Sequence, residues 1–276
     1  MKKNEKVIKR YVKEGYAKIA QQGGSCCPTS SCCGSTSLAQ NIGKAVGYTE
    51  EEMDVVPEGA NLGLGCGNPV AIVSLKEGET VLDLGAGAGF DAFLAAAKVG
   101  KSGKVIGVDM TPEMVKRARE NAVKGHYNNV EFRQGEIEHL PVESSTVDAV
   151  ISNCAINLSP NKQSVFKEAF RVLKSGGRLM VSDLVLVKDL PDAIKESIEA
   201  YVGCLAGAVK KEDYLAFIKD AGFKDIKVVD QTNYPIEAMA NDATAQAVMK
   251  NFSAKDIDLT DIENSVASVK IYAVKP

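Results

Sequence analysis

Residues 79–89 read ETVLDLGAGAG, and residues 104–110 read KVIGVDM. Both are apolar runs of strand length, and the first breaks into Gly85, Gly87 and Gly89. A buried strand that ends in glycines and runs into a helical stretch, here FDAFLAAAKVG, is the opening unit of an α/β fold. The alternation continues outward. TPEMVKRARENAVKG predicts a second helix, with Thr111 as N-cap and Pro112 in its first turn. NVEFRQGE and TVDAVISNC predict the third and fourth strands. KQSVFKEAFRVLKSGG predicts a helix closed by Gly176 and Gly177, and RLMVSDLVLV a fifth strand. Alternating strands and helices argue for an α/β fold with a doubly wound, mostly parallel sheet. Two later runs, DIKVVDQ and SVASVKIYAVKP, bring the predicted strands to seven.

The flanks are different. Residues from about 4 to 20 place Ile8, Tyr11, Val12, Tyr16 and Ile19 near helical spacing, with lysines opposite. A Gly-, Ser- and Cys-rich stretch follows from Gln21 to Ser37 and predicts a mobile loop. Short helices are predicted at LAQNIGKAVG and TEEEMDVV, before a glycine-dense loop, GANLGLGCGNPV, that holds Cys66. Beyond the core, PDAIKESIEAYVGCLAGA predicts a helix carrying Cys204, and EDYLAFIKDAGF another. Residues between about Tyr234 and Asn264 fit either helices or an inserted cap. The organisation expected is residues 1–70 as N-terminal helix, Cys-rich loop and lid, 71–187 as Rossmann-like core, and 188–276 as a C-terminal α+β substrate region with the final strands.

Composition narrows the chemistry. The chain has 276 residues, 45% hydrophobic and 25% charged, which excludes bulk disorder. A net charge of −3 leaves no basic field for nucleic acid. His126 and His139 are the only histidines, too few for a multi-histidine metal centre. Apolar runs fall short of the roughly 18 residues a membrane helix needs. The opening MKKNEKVIKRYVKEGYAK has no apolar signal core, so a cytoplasmic location with reduced thiols is expected. No heptad or apolar stripe calls for a dimer, and a monomer is expected.

Seven cysteines is an odd number, so a fully paired secreted framework is excluded. Four of them, Cys26, Cys27, Cys32 and Cys33, lie in CCPTSSCC. Adjacent cysteines make a poor tetrahedral clamp within one loop, so a soft three-coordinate ion or serial thiol exchange fits better than zinc. Cys66 precedes strand one, Cys154 ends strand four and Cys204 follows strand five. In a doubly wound sheet, ligands bind outside the carboxyl ends of the strands, where these three can converge.

The glycine loop follows GxGxG spacing, but Phe90 stands where a dinucleotide fingerprint wants a third glycine or alanine. That argues against NAD or FAD. Asp109 ends strand two, twenty residues past Gly89, where an acid can accept both ribose hydroxyls of a nucleoside cofactor. DLGAGAG, Asp109 and GEIEHLP together resemble the S-adenosylmethionine (SAM) site of class I methyltransferases. The resemblance implies SAM as cofactor, held by Asp83, Gly85, Ala86, Gly87, Gly89, Asp109, Met110, Gly135, Glu136, Ile137 and Asn153. Within it, Asp83 would hold the methionine ammonium, Glu136 would accept from the adenine amino group, and the Ile137 amide would donate to the ring. The strand-four end, Ser152-Asn153-Cys154, departs from the NPPY-type tetrapeptide of DNA and protein amino-methyltransferases.

ANLGLGCGNPV, TVLDLGAGAGFDAFLAA, GVDMTPEMVKRAR, NVEFRQGEIEHLPV, ISNCAINLSP and EAFRVLKSGGRL, in that order, resemble the arsenite methyltransferases over nearly the whole chain. The resemblance implies SAM-dependent methylation of thiol-bound arsenic(III), supplied as arsenite or its glutathione conjugate. It implies that Cys154 and Cys204 bind arsenic. Cys66, with one N-terminal cysteine, would serve the reductive steps and share in binding. Cys26, Cys27, Cys32 and Cys33 all stand as candidates for that N-terminal cysteine, Cys32 and Cys33 foremost. A thioredoxin- or glutathione-type reductant would reset the disulfide formed. Two other readings compete: a SAM-dependent carbon or oxygen methyltransferase of a quinone- or sterol-like molecule, which needs no thiols, and a non-catalytic thiol module that binds metalloids.

Overall fold

The computed structural model describes residues 5–22, 35–69, 74–195, 197–202, 204–233 and 264–276. The four N-terminal cysteines, and nearly all of the stretch expected to form helices or a cap before Asn264, lie outside the described residues. Five parallel strands form the centre: β1 (Thr80–Leu84), β2 (Lys104–Asp109), β3 (Val130–Gln134), β4 (Val147–Asn153) and β5 (Leu173–Leu186). Two more, β6 (Lys224–Asn233) and β7 (Val266–Val274), complete a seven-stranded sheet in the order β3-β2-β1-β4-β5-β7-β6. Among the described strands, β7 alone runs opposite to the others, pairing antiparallel with β5 and β6. The expected mostly parallel seven-stranded sheet is the sheet observed.

Both faces of the sheet are covered, so its central strands read as continuous apolar runs. Successive side chains of β1 point to opposite faces. Val81 packs with Phe93 of helix α4 (Phe90–Val99) and Val115 of α5 (Pro112–Lys124). Leu82 and Leu84 pack with Phe166 of α6 (Lys162–Val172) and Tyr214 of α9 (Lys211–Asp220). The chain order reverses across β1, which lies between β2 and β4. That switch point opens a crevice at the strands' carboxyl ends. Three helices precede the sheet: α1 (Glu5–Gln22), α2 (Ser35–Ala45) and α3 (Glu50–Asp54). A capping box between Thr49 and Glu52 starts α3 and fixes the chain just after Tyr48.

Two expectations need correction. The α6 helix does not run to Gly176 and Gly177: it ends at Val172, and Leu173 turns extended (φ −67°, ψ 141°) to pair with Val147. Leu173 is fully buried, so strand pairing and burial together outweigh one more helical turn. The single helix expected over 191–208 is two short ones, α7 (Asp192–Lys195) and α8 (Ile198–Val202). Cys204 lies beyond α8, in a left-handed turn where the Leu205 and Ala206 amides both donate to the Ala200 carbonyl. Among the described residues, no helix is long and apolar enough to cross a membrane.

Candidate active site

The glycine loop is built by close approach. Gly85 has φ +71°, and a Cβ there would sit 2.3 Å from the Ala155 Cβ, so only glycine lets β1 pass the end of β4. The Gly85 and Ala86 amides donate to the Val108 carbonyl at 2.8 and 3.0 Å, folding the loop over β2. Asp109 ends β2 with both oxygens engaged: Oδ2 accepts from the Gly87 amide at 3.0 Å and Oδ1 from the Thr111 amide at 2.8 Å. Thr111 does occupy the N-cap position of α5, but its side chain makes no capping bond there. A cavity opens above this loop. Asp83, Gly85, Ala86, Gly87, Asp109, Met110, Ile137, Asn153 and Cys154 line its floor and walls. Lys9, Val12 and Tyr16 bring α1 across it.

Three of the sequence-assigned cofactor residues stand outside that lining. Gly89 is the N-cap of α4, in the left-handed region, with Phe93 and Phe132 too close to admit a side chain. The Gly135 amide donates to the Asp109 carbonyl at 3.0 Å and shapes the turn after β3. The half-exposed Glu136 carboxylate is 2.7 Å from Lys9 Nζ. Its neighbour Glu138 does line the cavity, buried, accepting from Ser159 Oγ at 2.6 Å and lying 3.1 Å from Lys9.

The cavity is rich in acids. Asp83 is buried, and its Oδ2 has no hydrogen-bond partner among the described residues. Burial, then the neighbouring Asp91 and Asp109 charges, push its carboxyl well above the usual carboxylate range. Asp91 accepts from the Tyr48 hydroxyl at 2.6 Å and from Asn153 Nδ2 at 3.0 Å. Burial pushes Asp91 up to about 6, against those two hydrogen bonds. Burial raises Asp109 as well, opposed by the Thr111 and Gly87 amides. Among the described residues, Lys9 is the only basic side chain lining this space. A buried acceptor without a donor, beside two more carboxylates, suits a ligand that carries positive charge and amine hydrogens.

The thiols meet at the cavity's edge. Cys66 and Cys154 form a disulfide with Cα atoms 5.9 Å apart. The Cys154 amide donates to the Ser182 carbonyl at 2.9 Å, and Cys204 Sγ donates to the Cys154 carbonyl at 2.9 Å. The three residues share one apolar cluster with Leu184, Leu190, Ile194 and Leu205. Cys154 (φ +52°) and Cys204 (φ +63°) both hold left-handed backbone, which costs a non-glycine residue about 1–3 kcal/mol. Such strain persists where surrounding packing fixes it, and it gathers at functional sites. The resemblance assigns arsenic to Cys154 and Cys204, with Cys66 sharing in binding and pairing with an N-terminal cysteine in the reductive steps. In the structure the bonded pair is Cys66–Cys154, with Cys204 against it, while Cys32 and Cys33 lie outside the described residues.

Asn153 joins the two halves of the site. Its Oδ1 accepts from the Cys66 amide at 3.0 Å, and its Nδ2 donates to the Gly67 carbonyl at 2.7 Å and to Tyr48 Oη at 2.8 Å. Tyr48, Asp91 and Glu138 were missed from sequence. Asp91 left one signal, as an acid on the otherwise apolar FDAFLAAA helix face.

Comparisons with known proteins agree with this geometry. Residues 75–222 match the family described as a methyltransferase domain. The chain is 48% identical over 225 residues to the arsenite methyltransferase of Halobacterium salinarum, covering 79% of this chain and 57% of that protein. It is 36% identical over 226 residues to the arsenite methyltransferase of Aquipseudomonas alcaligenes, again 79% of this chain and 63% of that one. It therefore spans about three fifths of the length of these relatives. A crystal structure of an arsenic(III) S-adenosylmethionine methyltransferase from Chlamydomonas reinhardtii superposes with a TM-score of 0.63 at 34% identity, covering 85% of this chain and 73% of that one.

Proposed function

The chain belongs to the arsenite methyltransferase family of SAM-dependent methyltransferases, and from that premise we propose that it methylates thiol-bound arsenic(III). The observation that carries the proposal is the meeting of Cys66, Cys154 and Cys204 at the edge of an acid-lined cavity. Trivalent arsenic is soft and takes thiolate ligands. SAM supplies an electrophilic methyl group, which the arsenic lone pair takes by direct displacement. No general base is needed, in keeping with the absence of histidine among the described residues that line the cavity.

The chain's own residues bind and align. Asp83, with its unpartnered oxygen, would accept the methionine ammonium. Asp109, already oriented by two backbone amides, would take the ribose hydroxyls. Ile137 would meet the adenine ring. Glu136 reaches the adenine amino group only if its pair with Lys9 opens. Alignment of arsenic and methyl is the main contribution asked of the protein. Methylation leaves arsenic pentavalent. Two thiolates that leave it as a disulfide return two electrons, and the Cys66–Cys154 bond is the form such a step produces. A thioredoxin- or glutathione-type reductant then restores the thiols, with one of Cys26, Cys27, Cys32 and Cys33 as the relaying N-terminal thiol. Arsenite or its glutathione conjugate is the substrate form expected.

Cys154→Ser tests the reading. It should bind SAM as the parent does and yield no methylated arsenic from arsenite, SAM and glutathione. Product formation at the parental rate would remove Cys154 from the mechanism.

A further inference from the structure

Asp183 stands on β5 beside the cysteines and lies outside the cofactor cavity lining. One of its carboxylate oxygens and the Cys66 and Cys154 sulfurs all lie within 4.8 Å of one another, and all three residues are buried. Neutral donors fix the side chain. The Leu184 amide donates to Oδ1 at 2.9 Å, while the Asn157 amide and the Tyr214 hydroxyl donate to Oδ2 at 3.2 and 3.0 Å. No ion pair to Asp183 forms among the described residues. The nearby Lys162 Nζ donates instead to the Asn157 and Ser159 carbonyls at 3.3 and 3.0 Å. Burial pushes the Asp183 carboxyl up to about 6, opposed by the Leu184 amide and the Lys162 charge, both of which favour the ionised form. A buried carboxylate whose hydrogen bonds all come from neutral donors is oriented to meet a positive charge that appears only during the reaction.

We propose that Asp183 stabilises the positive charge that develops on arsenic as the methyl group arrives. This rests on the arsenic methylation proposed above. In that step the arsenic lone pair forms the As–C bond while the C–S bond breaks, and the bonding pair stays on the donor sulfur. Formal positive charge passes from sulfur to arsenic. Arsenic bonded to Cys154, with either Cys66 or Cys204 as second ligand, sits beside the Asp183 carboxylate. A charge held in place by fixed hydrogen bonds in a buried site acts on the transition state with little reorganisation. The carboxylate thus lowers the barrier more than it strengthens ground-state binding.

The test compares the parent with Asp183→Asn and Asp183→Glu, using arsenite, SAM and glutathione. Asp183→Asn should lose about tenfold or more in kcat. Its KM for arsenite, and its calorimetric affinities for arsenite and for SAM, should stay within about threefold of the parent, since the lost term belongs to the transition state. Asp183→Glu keeps the charge and should exceed Asp183→Asn in kcat. Should Asp183→Asn fail to fold, judged by thermal melting, Asp183→Ser takes its place in the same comparison. A smaller loss of kcat in the neutral variant, equal kcat in the neutral and Glu variants, or a loss seen in arsenite affinity instead of kcat would overturn the role. A parent that methylates no arsenite overturns the proposed function and this role with it. An active parent matched by its neutral variant overturns only the role.

Discussion

Acidifying the protein from roughly pH 7 to roughly pH 5 should weaken SAM binding about tenfold or more, with Asp91 contributing about tenfold and the more strongly raised Asp83 adding to it. Burial holds the Asp91 carboxyl at about 6. Relative to an ordinary carboxylate, that is ~3 kcal/mol of disfavoured charge at ~1.4 kcal/mol per tenfold. A ligand that brings an ammonium and a sulfonium beside Asp91 and Asp83 favours the ionised forms. Above about 6, Asp91 is already ionised and binding needs no proton expelled from it. Below about 6, each further pH unit costs up to about tenfold in affinity, until the liganded form protonates too. The stability linkage has the opposite sign. The folded, unliganded carboxyl is raised, so its stabilising contribution is complete below the ordinary carboxylate range and is lost as pH rises through about 6. Ligand-induced gain in melting temperature should therefore grow with pH across that window. Calorimetry in two buffers of different ionisation heat reads both the affinity and the proton released, and Asp91→Asn should flatten the slope. An affinity that stays level across the window, or a full slope retained in Asp91→Asn, would refute the reasoning.

Two further outcomes follow from the same geometry. Gly85→Ala places a Cβ 2.3 Å from the Ala155 Cβ at a left-handed φ of +71°. It should cost about 2–4 kcal/mol and lower the melting temperature by roughly 5 °C or more, with SAM binding lost; an unchanged melt would contradict the packing described. Lys9→Ala removes the ion pairs to Glu136 and Glu138 that hold α1 across the cavity. It should speed amide exchange in residues 5–22 and cost only about 1 kcal/mol of stability, because the pairs are partly exposed; unchanged exchange in α1 would mean that its other contacts, Val12 burial and the Arg117 bond to the Ala20 carbonyl among them, hold the helix without Lys9.

The sheet was legible because its strands are buried on both faces and its glycines fall where β1 turns over β2. Gly85 and Asp109 could be placed from the strand-to-glycine pattern, Asp109 being held by the Gly87 and Thr111 amides, but the contact that demands glycine at 85 comes from Ala155, beyond β4. The limits of sequence reading were of two kinds. Local pattern misplaced the end of α6, where Leu173 fits a helix or a strand equally well and its pairing with Val147 of β4 decides. It also put Cys204 on a helix, although the chain must turn there to bring Gly207 against the Asn157 carbonyl, where no Cβ fits. Long-range contacts hid the rest. Tyr48 reaches Asp91 across 43 positions and Asn153 across 105, and no periodicity reports such a bond. The convergence of Cys66, Cys154 and Cys204 was readable only through the rule that ligands gather at the strands' carboxyl ends.

Arsenic speciation after incubating the purified protein with arsenite, glutathione and SAM carrying an isotopically labelled methyl group tests the proposed function without recourse to any variant. The geometry predicts labelled methylarsenicals that require SAM and disappear when the thiols are alkylated beforehand. Arsenite recovered unmethylated from protein that binds SAM and has its Cys66–Cys154 pair reduced would contradict it.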